Sequence, residues 1–199
     1  MWLRAMWWDV LSYSLEDFLL FSKSIYYDLV ASYNQALWPL HIVALAAFIV
    51  VAIGIWLPRY TEKTRLAFCI LFAVSLSFIA KVYFLDYFTT INWSARYFAY
   101  GFFIQSALMV FQAFVLTYKK QSVSLKANAV PWLLFVIIGA PVIAWLFHSR
   151  LAIVPIVGID PNATMLALIA AILLLKWSRW LLMLPSSWLL ISGLMHYSL

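Results

Sequence analysis

The sequence predicts an all-α integral membrane protein: six transmembrane helices in one bundle, preceded by an amphipathic interfacial helix. Three observations point there. Of 199 residues, 67% are hydrophobic and only 10% are charged, against roughly 25% charged in an ordinary soluble domain. Six apolar runs approach the about 20 residues that one helical crossing needs. Tryptophans and cationic residues gather at the ends of those runs, where indole and Lys or Arg sit at the headgroup level. The chain has room for one helical bundle and for no soluble domain beside it.

The runs are Leu37–Leu57, Leu66–Leu85, Ala95–Tyr118, Val130–Phe147, Pro161–Lys176 and Trp180–Tyr197. The fifth is the shortest and requires local thinning of the bilayer. Residues 1–36 form an N-terminal segment on the outer surface and residues 37–199 the bundle. Within the first segment, Ser14 with Asp17 three residues on is a capping signature. Leu15, Phe18, Leu19, Ile25, Tyr26, Leu29, Val30 and Tyr33 then recur at helical spacing, while Glu16, Asp17, Lys23 and Asp28 interrupt any run of spanning length. That pattern gives a helix lying on the surface, its apolar face against lipid, the bundle or a neighbouring subunit. Asp9, Glu16 and Asp17 also argue against a cleavable signal peptide.

Counting Lys and Arg in short connections orients the bundle. Arg59, Lys63 and Arg65 follow the first run; Lys119, Lys120 and Lys126 follow the third; Lys176 and Arg179 follow the fifth. These three connections face the cytoplasm. Arg4, Lys23, Arg96 and Arg150 lie on the other side, with the acids Asp9, Glu16, Asp17, Asp28, Asp86 and Asp160, so both termini are expected outside. Trp38, Trp56, Trp93, Trp132, Trp145, Trp177 and Trp180 form the two belts. Pro39, Pro131 and Pro161 take first-turn positions, where a missing N–H costs nothing, and Asp160 is an N-cap.

The net charge of +6 is spread in small groups beside apolar runs, so it reads as topology and not as a nucleic-acid surface. One cysteine, Cys69, excludes an internal disulfide and a multi-cysteine cluster. No nucleophile–base pair, phosphate loop, paired carboxylates or zinc motif is present, and no cofactor is required by the sequence.

Chemistry is left to scattered polar residues. Lys81 and Asp86 lie at the outer end of the second run, where the lysine snorkels or pairs with Asp86; alternatively it lines a cavity as an ion- or proton-binding group. Asn92 and Arg96 lie in the short connection Asp86–Tyr97, which can cap the bundle. His41, His148 and His196 all fall at the outer ends of runs, at one depth, as candidate ligands for copper or zinc. No pair of them has the helical i, i+4 ligand spacing, so interfacial anchoring is the competing explanation; for haem none lies deep enough. Gln105 and Gln112 share a face of the third run and suit interhelical hydrogen bonds. Pro141 and Pro185 would kink the fourth and sixth helices. Two sequons, at Asn92 and Asn162, face outward.

The stretches YSLEDFLLFS (13–22), YNQALWP (33–39), TINWSARYF (90–98) and GIDP (158–161) resemble an uncharacterised family of bacterial inner-membrane proteins known only as domain of unknown function 6064. The resemblance covers nearly the whole chain. It implies a bacterial location and six spans, implies no activity, and carries over no catalytic residue. Two functions remain: a non-catalytic accessory or structural subunit of a larger membrane complex, in contact with lipid and other membrane subunits, or a small-solute or ion transporter with a polar site near Lys81 and kinked helices four and six.

Overall fold

A computed structural model describes residues 21–55, 61–119, 129–148 and 151–198. The expected features of residues 1–20, together with Trp56, Arg59, Lys120, Lys126 and Arg150, lie outside the described residues, as does the side chain of His148. Among the described residues there is no β-strand. Seven α-helices follow in order: α1 (Lys23–Ala36), α2 (Trp38–Gly54), α3 (Thr61–Phe78), α4 (Ala95–Lys119), α5 (Ala129–His148), α6 (Pro161–Leu174) and α7 (Met183–Ser198).

Helix α1 starts at Ser22, whose hydroxyl accepts from the Ile25 N–H. It ends at Leu37, where the chain turns by 79° into α2 with Pro39 in the first turn. Leu29, Val30, Tyr33 and Asn34 are its buried residues, so the apolar stripe rests on the protein's own bundle, while Ile25 points away.

Helix α3 continues without a break into a π-helix at Ile79–Tyr87 and a 3-10 turn at Phe88–Thr90. The π segment explains a contact that α-helical spacing forbids. Lys81 and Asp86 are five residues apart, about 140° around an α-helix. Hydrogen bonds that run i to i+5 bring them onto one face instead, and they form a salt bridge there, both exposed. On the opposite side Ile79, Ala80, Tyr83 and Phe84 are buried. Phe84 packs on Phe102 (4.8 Å between ring centroids) and Trp188 (5.1 Å), tying α3 to α4 and α7.

Among the described residues, three helical stretches are long and apolar enough to cross a bilayer: Glu62–Thr90, Ala95–Tyr118 and Ala129–Leu146, or four if the bent α1–α2 pair counts as one. Their burial ranks them, with 56% of the first spanning window inside the protein against 28% of the third; the π-bearing helix is central and α5 is peripheral. The other apolar helices are shorter than their runs. Helix α6 has 14 residues, only about 21 Å of rise against a hydrocarbon core of about 30 Å. It stops because Lys176 adopts φ 54° and the Trp177 N–H reaches back to the Ile172 carbonyl at 3.0 Å. That is a Schellman end with lysine where glycine is usual.

Other boundaries moved for similar local reasons. Arg65 belongs to α3 and is buried, not part of a solvated loop. Trp177 lies inside the protein, edge-on to Phe72 at 6.4 Å, whereas Trp38, Trp93, Trp132, Trp145 and Trp180 are exposed as a belt requires. Pro141 lies within α5. Pro185 does not interrupt a helix: α7 begins at Met183, after a 3-10 turn at Arg179–Leu182, so the proline sits in a first turn. Between α3 and α4, Ser106 donates to the Ala73 carbonyl (2.7 Å) and lies 2.8 Å from the Ser77 hydroxyl. Gln105 is fully buried and donates to the Leu181 carbonyl at 3.3 Å; Gln112, also buried, faces inward two turns further on.

Candidate functional site

The polar side chains converge on the connection between α5 and α6. Here Gly158 takes φ +93°, a backbone state open to glycine and strained for other residues. Its N–H donates to the Thr164 hydroxyl at 2.8 Å, and that hydroxyl donates in turn to the Asp160 carbonyl at 2.6 Å. Asp160 caps α6 through Oδ1, which accepts from the Ala163 N–H at 2.8 Å. The turn is thereby locked to the first turn of the helix that follows it.

Helix α1 closes over this turn. The Tyr33 hydroxyl donates to the Ile159 carbonyl (2.9 Å) and the Asn34 amide to the Ala152 carbonyl (2.8 Å). The Tyr33 ring stands edge-on to Tyr83 and Tyr87, at 5.1 and 5.3 Å. Asn162 accepts from the Trp188 indole N–H at 2.9 Å, attaching α7.

Burial pushes the Asp160 carboxyl up to about 6, although hydrogen bonds from the Ala163 and Asn162 N–H groups pull the other way. The Tyr26 and Tyr33 phenols are raised well above the ordinary tyrosine range, chiefly by burial and then by the Asp160 charge. Phenols that keep their protons beside a carboxylate serve as neutral donors and ring walls, not as bases.

Two hollows flank the hub. One, of about 290 Å³, is lined by Tyr26, Tyr27, Asp160, Asn162 and His196 among apolar residues of α1, α5, α6 and α7. The other, of about 500 Å³, lies at the α1–α2 elbow under Trp38, with Asn34 and His41 at its polar edge.

The sequence-predicted residues are distributed unevenly around this hub. His41 has its Nδ1 2.8 Å from the Leu37 carbonyl and its Nε2 3.3 Å from Asn34 Oδ1, so both nitrogens are engaged inside the protein. His196 stands edge-on to Tyr26 at 5.4 Å in the other hollow. Among the described residues no group of three or more His, Cys, Asp or Glu could hold a metal ion. Lys81 and Asp86 pair with each other. Asn92 folds back to accept from the Ser94 N–H and hydroxyl (3.0 and 2.6 Å), while Arg96 is exposed and bonds the Trp93 carbonyl. With Asn92 buried and Asn162 held by Trp188, neither sequon amide projects freely.

Tyr26, Tyr33, Asn34, Gly158 and Thr164 were not legible as a site. The signal that could have found them was the pair of stretches YNQALWP and GIDP: they touch through Tyr33 and Ile159, 126 residues apart.

These stretches lie within the region, residues 23–199, that matches the model of a family of unknown function, DUF6064. The chain belongs to that family. Comparison with curated proteins and with solved structures returned no match.

Proposed function

We propose that this is a multi-pass protein of the bacterial inner membrane, with six crossings and both termini on the periplasmic side, and that it serves as a non-catalytic accessory or structural subunit of a larger membrane complex. The short helices α2, α6 and α7 cross by thinning the bilayer or by sharing cover with neighbours. Lys119 and Lys176 then face the cytoplasm, and Asp86 and Asp160 the periplasm.

The observation that carries the subunit reading is how the polar side chains of the spans are used. Lys81 is engaged by Asp86, both exposed, and Ser77, Ser106 and Gln105 bond across helices. Between them the interior is filled by Phe68, Phe72, Leu76, Ile79, Phe84 and Met109. The polar hub is confined to the α5–α6 connection and the elements packed on it, where it organises loops and presents hollows. A large apolar surface remains for lipid or for other subunits, including Ile42, Val43 and Val50 on α2 and Phe135, Val142 and Leu146 on α5.

Purification in mild detergent is expected to retain a stoichiometric membrane partner; a lone monomer or homodimer throughout would count against the subunit reading. Labelling of single cysteines placed at Lys119 and His148 is expected to report opposite compartments. Lys81→Met is expected to leave assembly intact and to cost at most about 1 kcal/mol, as exposed ion pairs do. The competing transporter reading requires that this variant fold normally and lose solute flux in proteoliposomes.

A further inference from the structure

The hollow of about 290 Å³ beside Asp160 has a chemical character that the subunit reading does not use. It is near the lower end of small-molecule pocket sizes, about 300 Å³. Val30, Leu166 and Leu189 make most of its wall apolar, and Asp160 supplies the carboxylate. Among the described residues Asp160 has no cationic partner; its bonds are to backbone N–H groups at the start of α6. A carboxylate offers about four lone-pair sites, so two backbone donors leave acceptor capacity on the cavity side. Tyr26 and Tyr27 present aromatic rings at the same hollow, and ring faces attract cations.

We propose that this hollow binds a primary ammonium group carried on a short apolar chain, with the ammonium on the Asp160 carboxylate and the chain against Val30, Leu166 and Leu189. An anion is repelled there, and a neutral isostere forgoes the ion pair in a poorly hydrated site, where charge attraction is strongest. The carboxyl, raised to about 6, is still mostly ionised at neutral pH. The phenols of Tyr26, Tyr33 and Tyr83 lie close enough to feel its charge, and the His196 imidazole lines the same hollow. The same ammonium chemistry can come from a free alkylamine or from an aminophospholipid headgroup.

The test uses the full chain purified in detergent, with thermal unfolding at neutral pH as the readout. Butylammonium at about ten to a hundred times its Kd is expected to raise Tm by several degrees, and butanol is expected to leave it unchanged. Asp160→Asn keeps a side-chain oxygen to cap Ala163 and is expected to abolish the butylammonium shift. Should that variant fail to fold, Ala144→Leu fills the hollow while leaving the carboxylate, and the shift should again vanish. In lipid nanodiscs without free amine, an Asp160-dependent rise with phosphatidylethanolamine over phosphatidylglycerol identifies the headgroup as the source; a rise only with butylammonium identifies a free amine. An equal response to butanol, an unchanged response in the variants, or no response to either amine overturns the proposal. Each of these outcomes is separate from whether a partner subunit copurifies.

Discussion

Gly158→Ala is expected to cost roughly 2–5 kcal/mol, the sum of a left-handed backbone penalty and an overpacked core. A Cβ at this position would lie 2.9 Å from Phe48 Cε2, 3.3 Å from the Ser75 hydroxyl and 3.4 Å from the Ala44 Cβ. The contact with Phe48 is the one that must give. Phe48 is fully buried and packs on Phe72 at 5.0 Å and Phe68 at 6.2 Å, so displacing it disturbs the contact between α2 and α3. The turn cannot move instead, because the Gly158 N–H and the Asp160 carbonyl are both tied to Thr164. Against a total stability of about 5–15 kcal/mol, the alanine should fold poorly and lower Tm by about 4–20 °C; Gly158→Val should give no monodisperse protein by size exclusion. Phe48→Leu in the Gly158→Ala background relieves the steric part and should restore some of the loss, leaving the backbone penalty. An alanine variant with wild-type Tm would mean that the turn does not approach Phe48.

The effect is large because the turn joins parts of the chain that no local pattern connects. What the sequence disclosed was local: the N-cap at Asp160, the first-turn prolines at Pro39 and Pro161, and the helical stripe through Leu29, Val30 and Tyr33. Each follows from spacing or from one residue's chemistry. Its limits were local too. Hydropathy carries the fifth run through Lys176, but the helix ends at Leu174, because a Schellman turn is set by backbone conformation and not by the apolarity of Leu175. Arg65 counts as a loop cation by charge alone, and only the start of α3 at Thr61 shows that it is helical and buried. The pairing of Lys81 with Asp86 was legible only as one alternative beside snorkelling or a cavity-lining role, because nothing in the string IAKVYFLDY announces the change from α to π winding that brings the two together. The hub was the least legible part. Two of its hydrogen bonds, Tyr33 to Ile159 and Asn34 to Ala152, join residues more than a hundred positions apart, and tyrosines beside an apolar run read equally well as belt residues.

Tyr33→Ala is expected to release α1 from the bundle. Tyr33 is only 1% exposed. Truncating a buried aromatic costs about 3–5 kcal/mol, and the Ile159 carbonyl, left without its 2.9 Å donor, adds about 1–3 kcal/mol. The losses concentrate on one element, because the hydroxyl binds the α5–α6 connection while the ring meets Tyr83 and Tyr87 of the π segment. Hydrogen exchange should therefore accelerate across Lys23–Ala36 with much less change in α4, and limited proteolysis should cut first in α1. Tyr33→Phe isolates the hydrogen bond: it keeps the ring contacts and should cost about 1–3 kcal/mol, with α1 still protected. Two forces could hold an amphipathic helix at this position, the bilayer surface and the protein beneath it. If α1 stays protected in Tyr33→Ala in nanodiscs but loses protection in detergent, the lipid surface is the stronger of the two; loss of protection in both assigns the larger share to the contacts of Tyr33.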